Sequence, residues 1–237
     1  MQKIRDWLTK TTVGRALLQE ELVFIQAFLD HLQQSRMKVM ILSPVDLFFS
    51  LSLPANSISF HLSPILPCAI RASFDHIPFA SESMDVVVCY HGLERTENKA
   101  LVIEEISRVL KPEGHLIISV FNPRRLWLRQ PQWKGQPILK RTDSLYVHEL
   151  ALHLKKNALC VIEGRFMFYT PLLGGFLRSG QVNIWEKVGN RWWPDWSNVY
   201  MMMAKKEVLA WLNSPLMPIL GTPSDCLVPL VRLDDHT

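Results

Sequence analysis

Residues 97–123, ENKALVIEEISRVLKPEGHLIISVFNP, decide the fold because a helical pattern passes directly into a strand pattern. Apolar side chains between Glu97 and Leu110 recur at helical spacing on one face, and Thr96 is predicted to cap the helix. Lys111–Gly114 contains a proline and a glycine, which end the helix. His115–Val120 is then predicted to be a buried strand. A helix that leads into an apolar strand is the repeating unit of an α/β protein.

The rest of the chain alternates between the same two patterns. Helical segments are predicted over 12–34, 143–156 and 181–189, with one or two helical turns over 45–53. Strands are predicted over 38–42, 57–62, 68–72, 84–89, 115–120, 158–170 and 198–207. This alternation predicts an open, mostly parallel sheet covered by helices on both faces, with an antiparallel pair at its C-terminal end. Residues 1–207 are predicted to form one domain, followed by a proline-containing tail over 208–237.

The composition excludes several classes of protein. With 237 residues, 48% hydrophobic and 20% charged, the chain is typical of an ordinary globular protein, and no apolar run reaches the length of a membrane-spanning helix. The net charge of +4 is mild and its bases are scattered, so a nucleic-acid partner is not expected. The four cysteines form no CxxC pair, which predicts neither a metal site nor a disulfide framework and favours the cytoplasm. The oligomeric state is not indicated.

A ligand site is predicted at one edge of this sheet. In open α/β sheets ligands bind outside the carboxyl ends of the strands, where the strand order reverses. The candidate residues therefore follow the predicted strands, at 42–44, 62–64, 72–75, 89–92 and 121–123. No glycine occurs between Arg15 and His91, and no GxGxxG turn is present, which disfavours a nucleotide-binding oxidoreductase.

Several stretches resemble a known family. Residues 72–88, ASFDHIPFASESMDVVV, and residues 92–123, which begin GLERTENKA and contain RVLKPEGHL, are similar to the methyltransferase-11 branch of class I S-adenosylmethionine-dependent methyltransferases. In that branch the stretches read ADAExLPFxxxSFDxV, LEH and RVLKPGGxL. SVFNPRRLW at 119–127 and WEKVGNRWWPDWSNVYMMMAKK at 185–206 further resemble a bacterial YafS-like subgroup. The resemblance implies a Rossmann-like sheet of seven strands, mostly parallel with an antiparallel C-terminal strand, and helices on both faces.

The resemblance also implies S-adenosyl-L-methionine as the cofactor. Its cofactor-binding positions correspond to residues at the bends after the strands, namely Leu42, Ser43, Pro44, Ser63, Ser73, Phe74, Asp75, Cys89 and Tyr90. The apolar turn Ile77-Pro78-Phe79 is implied to pack beside the adenine. The sequence departs from the family at three anchors: the turn after the first strand lacks glycine, Ser63 replaces an acid, and Ser73 replaces an aspartate.

The chemistry that the resemblance implies is methyl transfer to a small-molecule acceptor. His91 is the predicted catalytic base, with a buried histidine paired to backbone as the alternative. Acceptor contacts are predicted for Asn122, Arg124, Trp127 and Phe168, and no metal is required. The main prediction is therefore a methyltransferase enzyme acting on a small, apolar or aromatic acceptor. The alternative is a catalytically inactive protein of the same fold that serves as a binding or interaction module.

Overall fold

The computed structural model describes residues 1–32, 36–47, 50–54, 56–66, 70–94, 96–124, 143–167 and 197–207. Four helices and six strands lie within these ranges. The helices are α1 (Gln2–Lys10), α2 (Thr12–His31), α3 (Lys99–Val109) and α4 (Val147–Lys156). The strands are β1 (Lys38–Leu42), β2 (Ile58–Leu62), β3 (Met84–Tyr90), β4 (Leu110–Phe121), β5 (Leu159–Met167) and β6 (Val199–Lys206). None of the helices in the described ranges combines the length and apolarity needed to cross a bilayer.

The six strands form one sheet in the order β2-β1-β3-β4-β6-β5. The strands β2, β1, β3 and β4 run parallel, whereas β6 lies antiparallel between β4 and β5. This arrangement confirms the predicted fold class, including the antiparallel C-terminal strand. The predicted strand over 68–72 is reduced to one parallel bridge, between Ile70 and Leu62, so six strands are described where seven were predicted. Residues 67–69 lie outside the described part of the chain.

Alternate residues of the strands serve two separate hydrophobic cores. Val86, Val88 and Tyr90 pack in the first core together with α1 and α2. Val87 and Cys89 face the opposite side and pack with α3 and α4. Because side chains alternate across a strand, a run that is apolar throughout must have helices on both faces, which is the layering predicted from the sequence.

The two N-terminal helices are joined by a tight corner at Thr11. The Thr11 hydroxyl donates to the carbonyl of Trp7 at 2.8 Å and accepts from the amide of Gly14 at 2.9 Å. A Cβ at Gly14 would lie 2.3 Å from the Trp7 carbonyl oxygen, so only glycine permits this approach. Helix α1 was not predicted from the sequence, and its buried residues Ile4 and Leu8 extend the first core.

Two local predictions are wrong. The described residues between Val45 and Leu53 form bends and a turn, not helical turns. Helix α3 is capped by Asn98, whose side chain accepts from the amide of Leu101 at 3.1 Å, and not by Thr96. The Thr96 hydroxyl instead donates to the Gly92 carbonyl at 2.8 Å. The predicted helix over 181–189 and the tail over 208–237 lie outside the described residues.

Candidate functional site

The strand order reverses between β1 and β3. The chain leaves β1 to form β2 on one side and returns to form β3 on the other side. The carboxyl ends of parallel strands at such a point enclose a crevice in which ligands bind. The turns that follow β1, β2 and β3, at 43–47, 63–66 and 91–94, lie at this edge of the sheet and are the candidate walls of such a crevice.

The two serines predicted to bind the cofactor cap their own turns. Ser43 follows β1, is fully buried, and its hydroxyl oxygen accepts from the amide of Val45 at 3.0 Å. Ser63 follows β2, is also fully buried, and accepts from the amide of Ile65 at 3.4 Å. Leu42 and Pro44 are buried as well. The structure therefore places all four residues at the crevice and gives both hydroxyls a local structural partner.

His61, the penultimate residue of β2, was not selected from the sequence. Its side chain is almost fully buried, and its Nδ1 lies 3.6 Å from Oδ1 of Asp46 in the turn after β1. Burial lowers the pKa of His61 and outweighs the opposing effects of Asp46 and of the backbone of Val45 and Ser43. The ring is therefore neutral at pH 7, and a neutral ring that donates through one nitrogen accepts through the other. His61 Nε2 is buried and has no hydrogen-bond partner in the structure.

Ser73, Phe74 and Asp75 occupy the approach to the apolar turn. Ser73 is exposed, whereas Phe74 is buried. The Phe74 ring packs against Gly92, where an added Cβ would lie 3.4 Å from the ring. A hydrogen bond from Ser73, with a second from His76, lowers the pKa of the Asp75 carboxyl. The negative charge near the Ser73 position is thus supplied by Asp75, two residues further along the chain.

The apolar turn Ile77-Pro78-Phe79 is fastened to α3 by Arg108. The guanidinium donates to the carbonyls of Ile77 at 2.9 Å and Phe79 at 2.8 Å, and it forms an ion pair with Glu105 at 2.7 Å. The Glu105 carboxylate in turn accepts from the amide of Ile77 at 2.9 Å. The Ile77 side chain lies in the second core. The turn is therefore apolar because it packs on the sheet, and two of its three carbonyls accept from one arginine.

A fully buried polar cluster lies where β3 and β4 end. We call it the Glu21 cluster, and its members are Glu21, Tyr90, His91, Glu94 and Ser119. Glu21 projects from α2 and accepts from the Tyr90 hydroxyl at 2.6 Å and from the Ser119 hydroxyl. His91 bridges the two carboxylates, with Nε2 3.2 Å from Glu21 Oε1 and Nδ1 2.9 Å from Glu94 Oε1. The cluster joins the N-terminal helices to the end of the sheet.

The two carboxylates control the titration of His91. Burial alone lowers the pKa of this imidazole, but Glu21 and Glu94 outweigh burial and raise the His91 pKa to about 10. Burial, with Glu21 beside it, raises the pKa of the Tyr90 hydroxyl. In this geometry both ring nitrogens of His91 face carboxylate oxygens, so the ring has no lone pair to offer to a substrate. The role of His91 as a catalytic base stays a prediction, and this geometry does not favour it.

Backbone geometry at the end of β3 holds His91 in place. His91 has a backbone φ of 46°, which residues other than glycine rarely adopt. Its amide donates to the Ser119 carbonyl at 3.1 Å. Its ring stacks on Phe121 at 4.0 Å. The next residue is Gly92, where a Cβ would approach Cys89 Sγ to 2.9 Å. Burial raises the pKa of the Cys89 thiol well above its usual value, so this thiol is a core residue and not a nucleophile.

The predicted acceptor residues are partly described. Asn122 is buried at the end of β4, donates to the Ser197 carbonyl at 3.0 Å and accepts from the amide of Arg124 at 3.0 Å. Arg124 is exposed. Asn122 therefore stabilises the turn that follows β4 and joins it to Ser197, shortly before β6. Trp127 and Phe168 lie outside the described residues, so their predicted contacts stay predictions.

Three residues of this site were missed by the sequence analysis: Glu21, His61 and Glu94. A signal was present for Glu21, because it falls on the buried face of α2 between Leu17 and Ile25. A charged residue on the buried face of an amphipathic helix indicates a specific partner. No comparable signal marks Glu94, which lies in a polar turn.

Comparison with known proteins agrees with the resemblance. The family described as "Methyltransferase domain" matches residues 54–118, which contain β2, β3, α3 and the start of β4. The Escherichia coli (strain K12) protein described as "Uncharacterized protein YafS" is 38% identical over 79 residues, 33% of this chain and 31% of that protein. The ubiquinone/menaquinone biosynthesis C-methyltransferase UbiE of Haemophilus ducreyi is 36% identical over 53 residues, 22% of this chain and 20% of that protein. The chain thus matches less than a third of the length of either relative.

A solved structure extends the similarity to most of the chain. The 1,6-didemethyltoxoflavin-N1-methyltransferase of Burkholderia thailandensis, with bound 1,6-didemethyltoxoflavin and S-adenosylhomocysteine, gives a TM-score of 0.52 at 13% identity. The match covers 86% of this chain and 87% of that protein. The fold is that of the class I S-adenosylmethionine-dependent methyltransferases. Residues 54–118 relate this chain to the methyltransferase domain family, and the resemblance found from the sequence is confirmed.

Proposed function

We propose that the protein is an S-adenosylmethionine-dependent methyltransferase that acts on a small-molecule acceptor. The fold, the match to the methyltransferase domain family and the relative named as a C-methyltransferase support methyl transfer. A neighbour of the same fold that holds a small aromatic molecule beside S-adenosylhomocysteine supports a small acceptor. The catalytically inactive alternative is not favoured by these matches.

His61 carries the proposal. A buried acceptor that lacks a hydrogen bond costs about 1–3 kcal/mol, so Nε2 of His61 needs a donor from a ligand or a water. His61 is the penultimate residue of β2, next to the end of the sheet where a dinucleotide or adenosyl ligand presents its ribose hydroxyls, and its Nε2 is buried. A ribose hydroxyl is a donor of the required kind. His61, and not the self-capping Ser63, is therefore the proposed ribose contact.

The turn after β1 lacks the glycines of the family and is capped instead by the Ser43 hydroxyl. Val45 and Leu47 are buried in the first core, and Asp46 between them is exposed and faces His61. The proposed site thus replaces a glycine cradle with a serine-capped turn that fixes Asp46 beside the histidine. Asp46 orients the His61 ring, because a carboxylate near Nδ1 favours the proton on that nitrogen and leaves the lone pair on Nε2.

The chemistry asks little of the protein. When bound, the cofactor supplies an activated methyl group on a positively charged sulfur, and the leaving group is neutral after transfer. The residues of the chain position the reactants and exclude water, which accounts for most of the rate enhancement in such reactions. Tyr90, His91 and Ser119 are buried from solvent at this end of the sheet.

Isothermal titration calorimetry with S-adenosylmethionine and S-adenosylhomocysteine tests the proposal. We expect both to bind the wild-type chain, and His61→Phe to weaken both about tenfold by removing one hydrogen-bond acceptor. His31→Phe is the matched control, because it makes the same substitution at an exposed position near the end of α2. If neither compound binds the wild type, the enzymatic assignment fails and the inactive alternative stands.

If both compounds bind and His61→Phe leaves both affinities unchanged, the ribose assignment fails although the methyltransferase assignment survives. The acceptor would then be sought by incubating the protein with S-adenosylmethionine and small aromatic compounds that carry a nucleophilic nitrogen or oxygen. The formation of S-adenosylhomocysteine reports methyl transfer. Variants of Asn122 and Arg124 test the acceptor contacts that the sequence predicts.

A further inference from the structure

We infer that Glu94 recognises the positive charge of the cofactor, so that the site distinguishes the sulfonium form from its neutral product. This inference rests on the proposed function and deepens it. It follows from three observations on the Glu21 cluster: its net charge, its one unsatisfied atom and its place beside the switch point.

The cluster sets two carboxylates, Glu21 and Glu94, against one imidazole, His91. The two carboxylates raise the pKa of His91 to about 10, so the ring is an imidazolium at pH 7. Counted as formal charges, two carboxylates and one imidazolium sum to minus one. In the part of the chain that the structure describes, no lysine or arginine forms an ion pair with either carboxylate.

The hydrogen bonds of the cluster are complete except at one atom. Glu21 receives the hydroxyls of Tyr90 and Ser119 as well as His91 Nε2. Oε1 of Glu94 receives His91 Nδ1 and the amide of Phe121, each at 2.9 Å. Oε2 of Glu94 is buried and has no partner. An uncompensated charge in a buried position is costly, so the cluster is built for an additional cation at Glu94.

The position of Glu94 matches the cationic part of the proposed ligand. The turn 91–94 follows β3 and forms one wall of the crevice, whereas His61 and Asp46 lie at the ends of β2 and β1 on the other wall. A ligand whose ribose contacts His61 extends across the switch point toward this turn. Its positively charged sulfur would then lie nearer to Glu94 than its sugar does.

The charge of that sulfur changes during the reaction. The acceptor's lone pair forms a bond to the methyl carbon, the sulfur–methyl bond breaks, and its electron pair stays on sulfur. The sulfur thus becomes neutral, and the acceptor's extra positive charge leaves with a proton to solvent. A fixed anion beside the sulfur therefore favours the reactant over the product and promotes product release. It does not favour the transition state, in which the charge on sulfur is already reduced.

The test compares cationic and neutral ligands on the full chain by calorimetry. The ligands are S-adenosylmethionine, S-adenosylhomocysteine and sinefungin, which carries an amine where the sulfonium would be. Glu94→Gln should weaken the two cationic ligands about tenfold and leave S-adenosylhomocysteine within about twofold. Glu104→Gln is the matched control, because it removes the same charge from an exposed position on α3 and should change none of the affinities.

The outcomes distinguish a failure of the proposed function from a failure of this inference alone. If none of the three ligands binds the wild type, the proposed function and the inference fail together. Binding of all three ligands, with equal losses in Glu94→Gln or with no loss, overturns the inference alone. Should Glu94→Gln fail to fold, the wild type still decides: an affinity for S-adenosylhomocysteine equal to or greater than that for sinefungin overturns the inference.

Discussion

Glu21→Gln is the substitution that most directly probes the buried cluster. Glutamine keeps the size of the side chain and removes one of the two carboxylates that face His91. The titratable groups around His91 are Glu21 from α2, Glu94 from its own turn and Tyr90 from β3. Burial lowers the pKa of His91, and the carboxylates raise it from an ordinary 6.5 to about 10.

The sign of the effect on stability follows from this shift. Because the folded protein binds the His91 proton more tightly than the unfolded chain does, the stabilisation is complete below pH 6.5 and is lost as the pH rises through 10. The shift corresponds to on the order of 5 kcal/mol, so the wild-type free energy of unfolding should fall by about 1.4 kcal/mol per pH unit between these values. Breaking one buried pair costs about 3 kcal/mol near neutral pH. In Glu21→Gln the His91 pKa is lower, and the decline is smaller.

Urea unfolding at a series of pH values from 6 to 10, followed by tryptophan fluorescence, measures both quantities. The gap in free energy of unfolding between the wild type and Glu21→Gln should be about 3 kcal/mol at pH 7 and should narrow as the pH rises. The exposed Glu104→Gln variant should follow the wild type, which removes contributions from other titrating groups. Parallel curves for the wild type and Glu21→Gln, with a constant gap, would refute the assignment of the shared proton to this cluster.

Two further predictions concern the scaffold. Arg108→Ala should lower the free energy of unfolding by about 2 kcal/mol, because the Phe79 carbonyl loses its arginine donor, the Ile77 carbonyl keeps only the Phe79 amide, and Glu105 loses its ion pair. Arg108→Lys should recover part of this stability, and a cost of Arg108→Ala below about 0.5 kcal/mol in urea unfolding would contradict the prediction. Gly14→Ala should destabilise by about 2 kcal/mol, although alanine ordinarily favours a helix, because its Cβ would meet the Trp7 carbonyl; a raised melting temperature would show that the corner relaxes.

The sequence determined most of the secondary structure and the layering of the sheet. The periods of 3.6 and 2 are local properties, so α2, α3, β1 and β3 were found within a few residues of their bounds, whereas β4 begins at Leu110, before the predicted start at His115. The start of α3 was misplaced because Thr96 and Asn98 are both residue types that cap helices. In the structure Asn98 caps α3, and the Thr96 hydroxyl donates to the Gly92 carbonyl. The helical turns predicted over 45–53 failed because the burial of Val45, Leu47 and Leu51 in the first core replaces helical hydrogen bonding there.

Only the tertiary structure decided which polar residues form the site. The sequence predicted a site at the bends after the strands, which stays a prediction, and it selected Ser43 and Ser63, whose hydroxyls accept from amides of their own turns. It selected His91 but not its partner Glu21, because the two residues are 70 positions apart in the chain and only the packing of α2 on the sheet brings them together. Local patterns report on neighbours within a turn or a strand, whereas a buried charge is fixed by which distant groups the packing brings within hydrogen-bond reach.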